Sequence, residues 1–209
     1  MVSDSIEEAL VDQRIPQGEV PEEVRLVNEF LNTLHLERFG EHAAKPEEQR
    51  EGLRSPEMVK AWLVGRGLLG EEEAVSEADR RLVVELRDAL RSAASANSRP
   101  SRERSEEVGR TFGEFPLVVR IGEGSVPELV SWGGGVKGAL GTILAGVVVA
   151  SSQGKWARMK ICAAEDCRWA YYDHSKSRTG RWCAMETCGN RHKTRRYRRK
   201  KRASVRREG

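Results

Sequence analysis

All four cysteines of this 209-residue chain fall within 27 residues, as Cys162, Cys167, Cys183 and Cys188. Four residues separate the members of each pair, and fifteen separate the pairs. Two close pairs divided by a hairpin-sized insert is how a short chain surrounds one tetrahedral ion. Two disulfides and four buried free thiols are the competing readings. Reducing conditions disfavour the first. Residues 160–190 hold too few aliphatic side chains to bury the second. The spacing predicts one structural Zn2+ held by Cys162, Cys167, Cys183 and Cys188.

A metal also explains how this region folds. The segment RWAYYDHSKSRTGRW has too little apolar area to fold alone, and small units of this kind need a metal or crosslinks. Bound metal contributes on the order of 10 kcal/mol to folding. Trp169, Tyr171 and Trp182 are then expected to pack a miniature core around the ion. The expected path is a knuckle holding Cys162 and Cys167, a β-hairpin turning near residues 177–180, Cys183 at its end, and Cys188 in or just before a helix. Gly189, beside a ligand, suggests close backbone approach or an unusual φ. His174 and His192 are alternative ligands, and His192 would share a helical face with Cys188. Four thiolates already close the site, whereas a catalytic zinc keeps a position for water, so metal-assisted hydrolysis is not expected.

Charge is divided unevenly. From Lys155 onward there are 18 Lys or Arg against 5 Asp or Glu, a balance of +13, while the first 154 residues carry −9. Such polarity points to a body joined to an element that meets polyanions, the plain alternative being a solvated basic tail. The last cysteine leads directly into Arg191, Lys193, Arg195, Arg196, Arg198, Arg199, Lys200, Lys201 and Arg202. Like charges at i,i+4 oppose a helix in free solution and phosphates relieve them, so this segment should order on nucleic acid. Charge on nearly every face suits backbone binding at least as well as base reading. Asn190 and Arg191 are candidates for base edges or for bracing the zinc loop. Arg178 and Arg181, with Ser177, would add phosphate contacts.

The rest reads as mainly α with a small β element. Residues 1–20 suggest a short weak helix and a loop. Val24, Val27, Phe30, Leu31 and Leu34 recur at helical spacing. Residues 41–54 are polar and read as a loop. Ser55 before Pro56 marks a helix start, with Met58, Val59, Trp62 and Leu63 running toward Gly67. Ser76 with Asp79 resembles a capping box opening a helix to about Ala96. Residues 97–110 are read as a loose helix or linker. Leu117 to Ile121 predicts a strand, and Val126 to Trp132 a second one weakened by Pro127. After three glycines an apolar helix is expected from Val136 to Ser152. Its longest apolar run, 12 residues with Gly141 and Gly146, is short of the about 20 that span a membrane, so it reads as buried. The acidic N-terminus does not resemble a secretory signal, and a cytoplasmic protein, nucleoid-associated when bound to DNA, is expected.

Gly133, Gly135 and Gly138 fit G-x-G-x-x-G, but no βαβ unit surrounds them, so dinucleotide binding is not expected. His35 and His42 lack clustered partner ligands and read as ordinary histidines. No Ser-His-Asp pattern is visible.

The cysteines, Tyr172–Arg178, Arg181-Trp182-Cys183 and Cys188-Gly189-Asn190-Arg191 with its basic run resemble the CGNR zinc-finger family of bacterial proteins, over about Lys160 to Arg202. Members of that family usually carry an N-terminal ABATE domain, associated with stress-induced transcription regulation. Leu26-Val27-Asn28-Glu29-Phe30-Leu31-Asn32-Thr33 is similar to its opening helix, and Met58 to Leu68 to its Trp-Leu helix. The resemblance implies zinc and DNA binding in transcription control by a non-enzymatic protein. The expected division is an N-terminal segment (1–20), a helical ABATE-like domain (21–155), a zinc finger with its basic helix (156–203) and a tail (204–209). The N-terminal domain would sense a small molecule or recruit a protein. A homodimer on two half-sites is one arrangement, with no zipper pattern to carry it. An RNA- or ribosome-associated module and a thiol-based redox sensor are the alternatives.

Overall fold

The computed structural model describes residues 20–39 and 46–205. The expected weak helix in 1–20, His42 with the start of the 41–54 loop, and the last tail residues lie outside the described residues.

Helix α1 (Glu22–Leu31) buries Val24, Val27, Phe30 and Leu31 of the predicted stripe; Leu34 lies past the helix end, where it forms an isolated antiparallel bridge with Glu51 instead. Helix α2 (Pro56–Val64) starts where Ser55 Oγ accepts from Met58 N, and buries Val59, Trp62 and Leu63. Phe30 and Trp62 meet with ring centroids 5.3 Å apart, joining the two helices. Helix α3 (Glu77–Ala96) opens on a complete capping box: Ser76 Oγ accepts from Asp79 N, and Asp79 accepts from Ser76 N at 2.8 Å. The segment left open between linker and loose helix forms α4 (Arg102–Gly113). It packs on α3, with Val108 buried and Phe112 half-buried against the core.

Strands β1 (Leu117–Ile121) and β2 (Pro127–Ser131) pair antiparallel, with Leu117 opposite Ser131 and Ile121 opposite Pro127. Pro127 begins its strand at the hairpin end, where a missing N–H is tolerated. Helix α5 (Gly135–Ser152) follows. It is long and apolar enough to cross a membrane by length and composition. Ten of its 18 residues are buried against α1, α3 and β2, which makes it the central core helix of this fold. Gly133 and Gly135, at its start, adopt positive φ (124° and 61°), and two glycines within it have a packing role. A Cβ on Gly138 would lie 2.7 Å from the Gly133 carbonyl, and one on Gly141 would strike Ser131 Oγ. They let the helix lie against the chain leading out of β2, and the lookalike needs no nucleotide to explain it.

Strands β3 (Met159–Ile161) and β4 (Ala170–Tyr172) form a second antiparallel hairpin, with Ile161 opposite Ala170. Met159, Ile161 and Ala170 belong to the same core as Phe30, Leu86 and Leu140. The architecture is therefore mainly helical, with two small two-stranded sheets. The second sheet carries the cysteine region while sharing the core of the body.

Candidate metal centre and basic surface

The β3–β4 hairpin holds the first pair of cysteines at its tip. Cys162 N donates to Trp169 O at 2.8 Å, extending the ladder by one rung, and Cys167 N donates to Ala164 O at 3.0 Å, closing the knuckle. The second pair is brought in by the returning chain, where Ala163 N donates to Arg181 O at 2.9 Å. Cys188 lies in a π-helical turn, Met185–Gly189, that opens directly into α6 (Asn190–Val205). Gly189 keeps an ordinary φ; its need is space, since a Cβ there would strike Met185 Sδ.

All four sulfurs lie within 4.8 Å of one another. Cys167 and Cys183 are 3.7 Å apart, and Cys183 and Cys188 3.6 Å. A disulfide requires about 2.05 Å, so none is formed. A tetrahedron with Zn–S near 2.3 Å has S···S edges of roughly 3.8 Å, which these separations match. The cysteines fit one structural Zn2+. Sulfurs this close cannot ionise independently: hydrogen bonds from Cys167, Cys183 and Cys188 drive the Cys162 thiol down, while the same sharing drives Cys167 up. A bound dication removes that competition by holding all four as thiolates. Cys162, Cys167 and Cys188 are buried, packed with Trp169 and Tyr171 and flanked by Trp182, the predicted miniature core.

His192 stands with its ring 4.6 Å from that of Trp182, and His174 lies against Tyr172. Among the described residues the cluster of possible ligands contains cysteine alone.

The expected hairpin turn at 177–180 is not one; the hairpin is β3–β4 and its tip is the knuckle. The reason is Asp173, whose carboxylate accepts from Ser175 N at 3.0 Å and Gly180 N at 2.8 Å, taking the donors a ladder would use. Lys160 Nζ reaches the same carboxylate at 2.7 Å and also donates to Arg178 O at 2.5 Å. Both members of this ion pair are buried. Burial alone would raise the Asp173 carboxyl, but Lys160 and the donors from residues 175 and 180 outweigh it and hold it down to about 2. Gly180 is required there, since a Cβ would sit 2.6 Å from an Asp173 oxygen. The 174–181 loop is thus pinned from inside and presents Arg178 and Arg181 outward, both exposed.

On α6, the predicted contact residues divide. Lys193, Arg196, Arg198 and Arg199 are exposed, with no ion-pair partner among the described residues. Asn190 is exposed and its amide donates back to Glu186 O at 3.3 Å. Arg191 is half-buried: it binds Asp166, and its guanidinium lies 3.4 Å from the centroid of the Phe39 ring. Arg195 reaches the same Asp166 oxygen at 2.7 Å. Burial would raise the Asp166 carboxyl, yet the Arg195 hydrogen bond and the charges of Arg191 and Arg195 keep it below its ordinary value. The helix is formed through Val205, and Asp166 supplies what charge counting along the run omits: an anion from the knuckle across its first two turns.

Sequence reasoning missed the residues that dock this unit. Arg38 N donates to Asp166 O at 2.8 Å, Glu37 lies 3.8 Å from Cys167 Sγ, and the His35 and Trp169 rings are 6.0 Å apart. Arg91, nine-tenths buried, donates to Leu31 O and to Arg168 O at 2.6 Å. Burial, with Arg87 nearby, lowers its pKa to about 10. The only local signal was Asp166 itself, an acid beside a ligand in a strongly basic region.

Two family models match the chain, in this order. The ABATE model, described as "Putative stress-induced transcription regulator", matches residues 24–151. The CGNR zinc-finger model matches residues 158–201. The search of curated proteins found no match to the chain.

Proposed function

The chain belongs to the ABATE family and carries a CGNR zinc finger behind that domain, and from that premise we propose that it is a zinc-stabilised, DNA-binding transcriptional regulator without enzymatic activity, acting in the cytoplasm. The observation that carries this reading is the continuity of sulfur site and basic helix. Cys188 sits two residues before the start of α6, and Arg196, Arg198 and Arg199 are exposed on that helix. A metal-fixed helix start turns a self-repelling run into a set of cations held in fixed directions, which is what phosphate binding needs. Lys193 belongs to the same set. Arg191 and Arg195 start from a different position, because Asp166 already engages them; their part is to set the helix direction. The N-terminal domain serves as the sensing or interaction module.

The test is affinity of the full-length, zinc-loaded protein for duplex DNA against salt. Six to ten phosphate contacts give a log–log slope of roughly −5 to −9. A flat response, or equal affinity after deletion of residues 191–207, refutes the reading. Structured RNA outcompeting duplex DNA at matched salt would redirect it to an RNA-binding function, since an arginine-rich helix serves either polyanion.

A further inference from the structure

A second basic cleft lies away from the exposed face of α6, where the end of α3 meets the finger. It has a volume of about 510 Å³ and is lined by Arg99 of the body and by Arg168, Arg178 and Arg181 of the finger, against a single acid, Glu165. Lys160 is at its floor, already neutralised by Asp173.

The backbone at this cleft is unusual. Among the described residues only three non-glycine residues have positive φ, and two of them are Arg168 (58°) and Arg178 (54°). Glycine or asparagine adopts that conformation more easily, and strained backbone of this kind persists only where its surroundings hold it. Here they do so through the carbonyls: Arg91 grips Arg168 O and Lys160 grips Arg178 O. Two buried cations thus fix two left-handed turns, each carrying an arginine side chain with no ion-pair partner among the described residues. Both residues line the same cleft.

The cleft also adjoins the helix surface. A neighbouring cleft of about 560 Å³, on the Arg195, Arg196 and Arg199 side of the knuckle, shares Ala163 and Glu165 with it. Only the knuckle tip separates the two.

We propose that the cleft between the end of α3 and the finger is a phosphate-binding subsite, and that the phosphate it takes belongs to a nucleic-acid backbone that runs from α6 over the knuckle onto the body. The subsite rests on the reading of α6 as a nucleic-acid-binding helix, and extends it by making the body part of the binding surface. The shared chemistry is the phosphate group, so a small phosphorylated molecule is the other source to be distinguished.

The experiment compares wild type, Arg168→Gly/Arg178→Gly and Arg196→Ala/Arg199→Ala as full-length, zinc-loaded proteins binding a random-sequence duplex over a range of salt. Glycine suits both left-handed positions, so the glycine pair should melt no lower than wild type while its affinity falls about tenfold and its log–log slope becomes shallower by about 1–2. Arg181→Ala, which alters an exposed side chain on ordinary backbone, should lose affinity in the same direction even if the glycine pair melts lower. Arg168→Lys/Arg178→Lys keeps the charges and should retain most of the affinity. If the glycine pair and Arg181→Ala both keep wild-type affinity and slope while the α6 pair loses them, the subsite is refuted and the function of α6 stands. If wild type binds no duplex, the reading of α6 fails instead. Titration with inorganic pyrophosphate then decides: binding that the glycine pair abolishes assigns the cleft to small phosphorylated ligands, and no binding overturns it.

Discussion

Asn32 and Ala170, 138 residues apart, exchange two hydrogen bonds: Asn32 Nδ2 donates to Ala170 O and Ala170 N donates to Asn32 Oδ1, each at 2.9 Å. The carboxamide at the end of α1 does for the edge of β4 what another strand would do. It satisfies both backbone groups of a buried residue. The finger's hairpin is therefore fastened to the first helix of the body by a side chain that has no substitute among the apolar residues around it.

Asn32→Ala should destabilise the whole protein by about 2–4 kcal/mol, because it leaves a buried N–H and a buried C=O unpaired. Asn32→Asp should be no better, since it sets a carboxylate against the Ala170 carbonyl. Denaturant midpoints at constant m-value check this; a loss within about 0.5 kcal/mol for Asn32→Ala would show that the pair fastens nothing.

Removing the metal should not simply loosen a tail. Met159, Ile161 and Ala170 lie in the common core, so chelation, or Cys188→Ser, is expected to lower the melting temperature of the body together with that of the finger. Elemental analysis should give one zinc per chain. An ordered, unshifted protein with no bound metal would contradict the assignment of the four sulfurs.

Breaking the Lys160–Asp173 pair should be expensive. Asp173→Asn leaves a buried ammonium without its counter-charge, a loss of about 3–5 kcal/mol. The effect carries a pH signature. The folded-state pKa of Asp173 is lowered to about 2, below its ordinary value near 4. Its contribution is complete above that ordinary value and is lost as pH falls toward 2, so the stability gap between wild type and Asp173→Asn should narrow over that window. A gap independent of pH would mean that the charge of Asp173 does not matter.

Arg191 and Arg198 should behave differently although they sit two turns apart on one helix. Arg191→Ala loses the Asp166 bond and the Phe39 contact and should cost about 1–2 kcal/mol of stability, with Phe39→Ala costing a similar part of it. Arg198→Ala, at an exposed position, should change stability by no more than about 0.5 kcal/mol while weakening duplex binding. Thermal melts paired with salt-dependent binding separate the two roles; equal melting of both variants would place Arg191 among the contact residues.

Much of this protein is written locally. Ligand spacing needs only chain connectivity, so C-x4-C twice was enough to identify the metal site. Helices α1, α2 and α3 follow from apolar spacing and from caps at Ser55 and Ser76, both of which act within a few residues of themselves. The α4 segment was ambiguous because its apolar stripe is thin. The turn at 177–180 misled for another reason: its backbone donors answer to Asp173, and nothing in the local pattern says that a carboxylate, held by Lys160, will occupy them.

The sequence by itself determined that a sulfur-bound ion would organise the C-terminal region and that a basic helix would follow it, because both depend on residue type and short spacing. Only the tertiary structure decided how that helix is aimed. Asp166, Phe39, Asn32 and Arg91 meet their partners across long separations in the chain, and hydrogen bonds and ring contacts formed at such separations leave no periodic trace in the order of the residues.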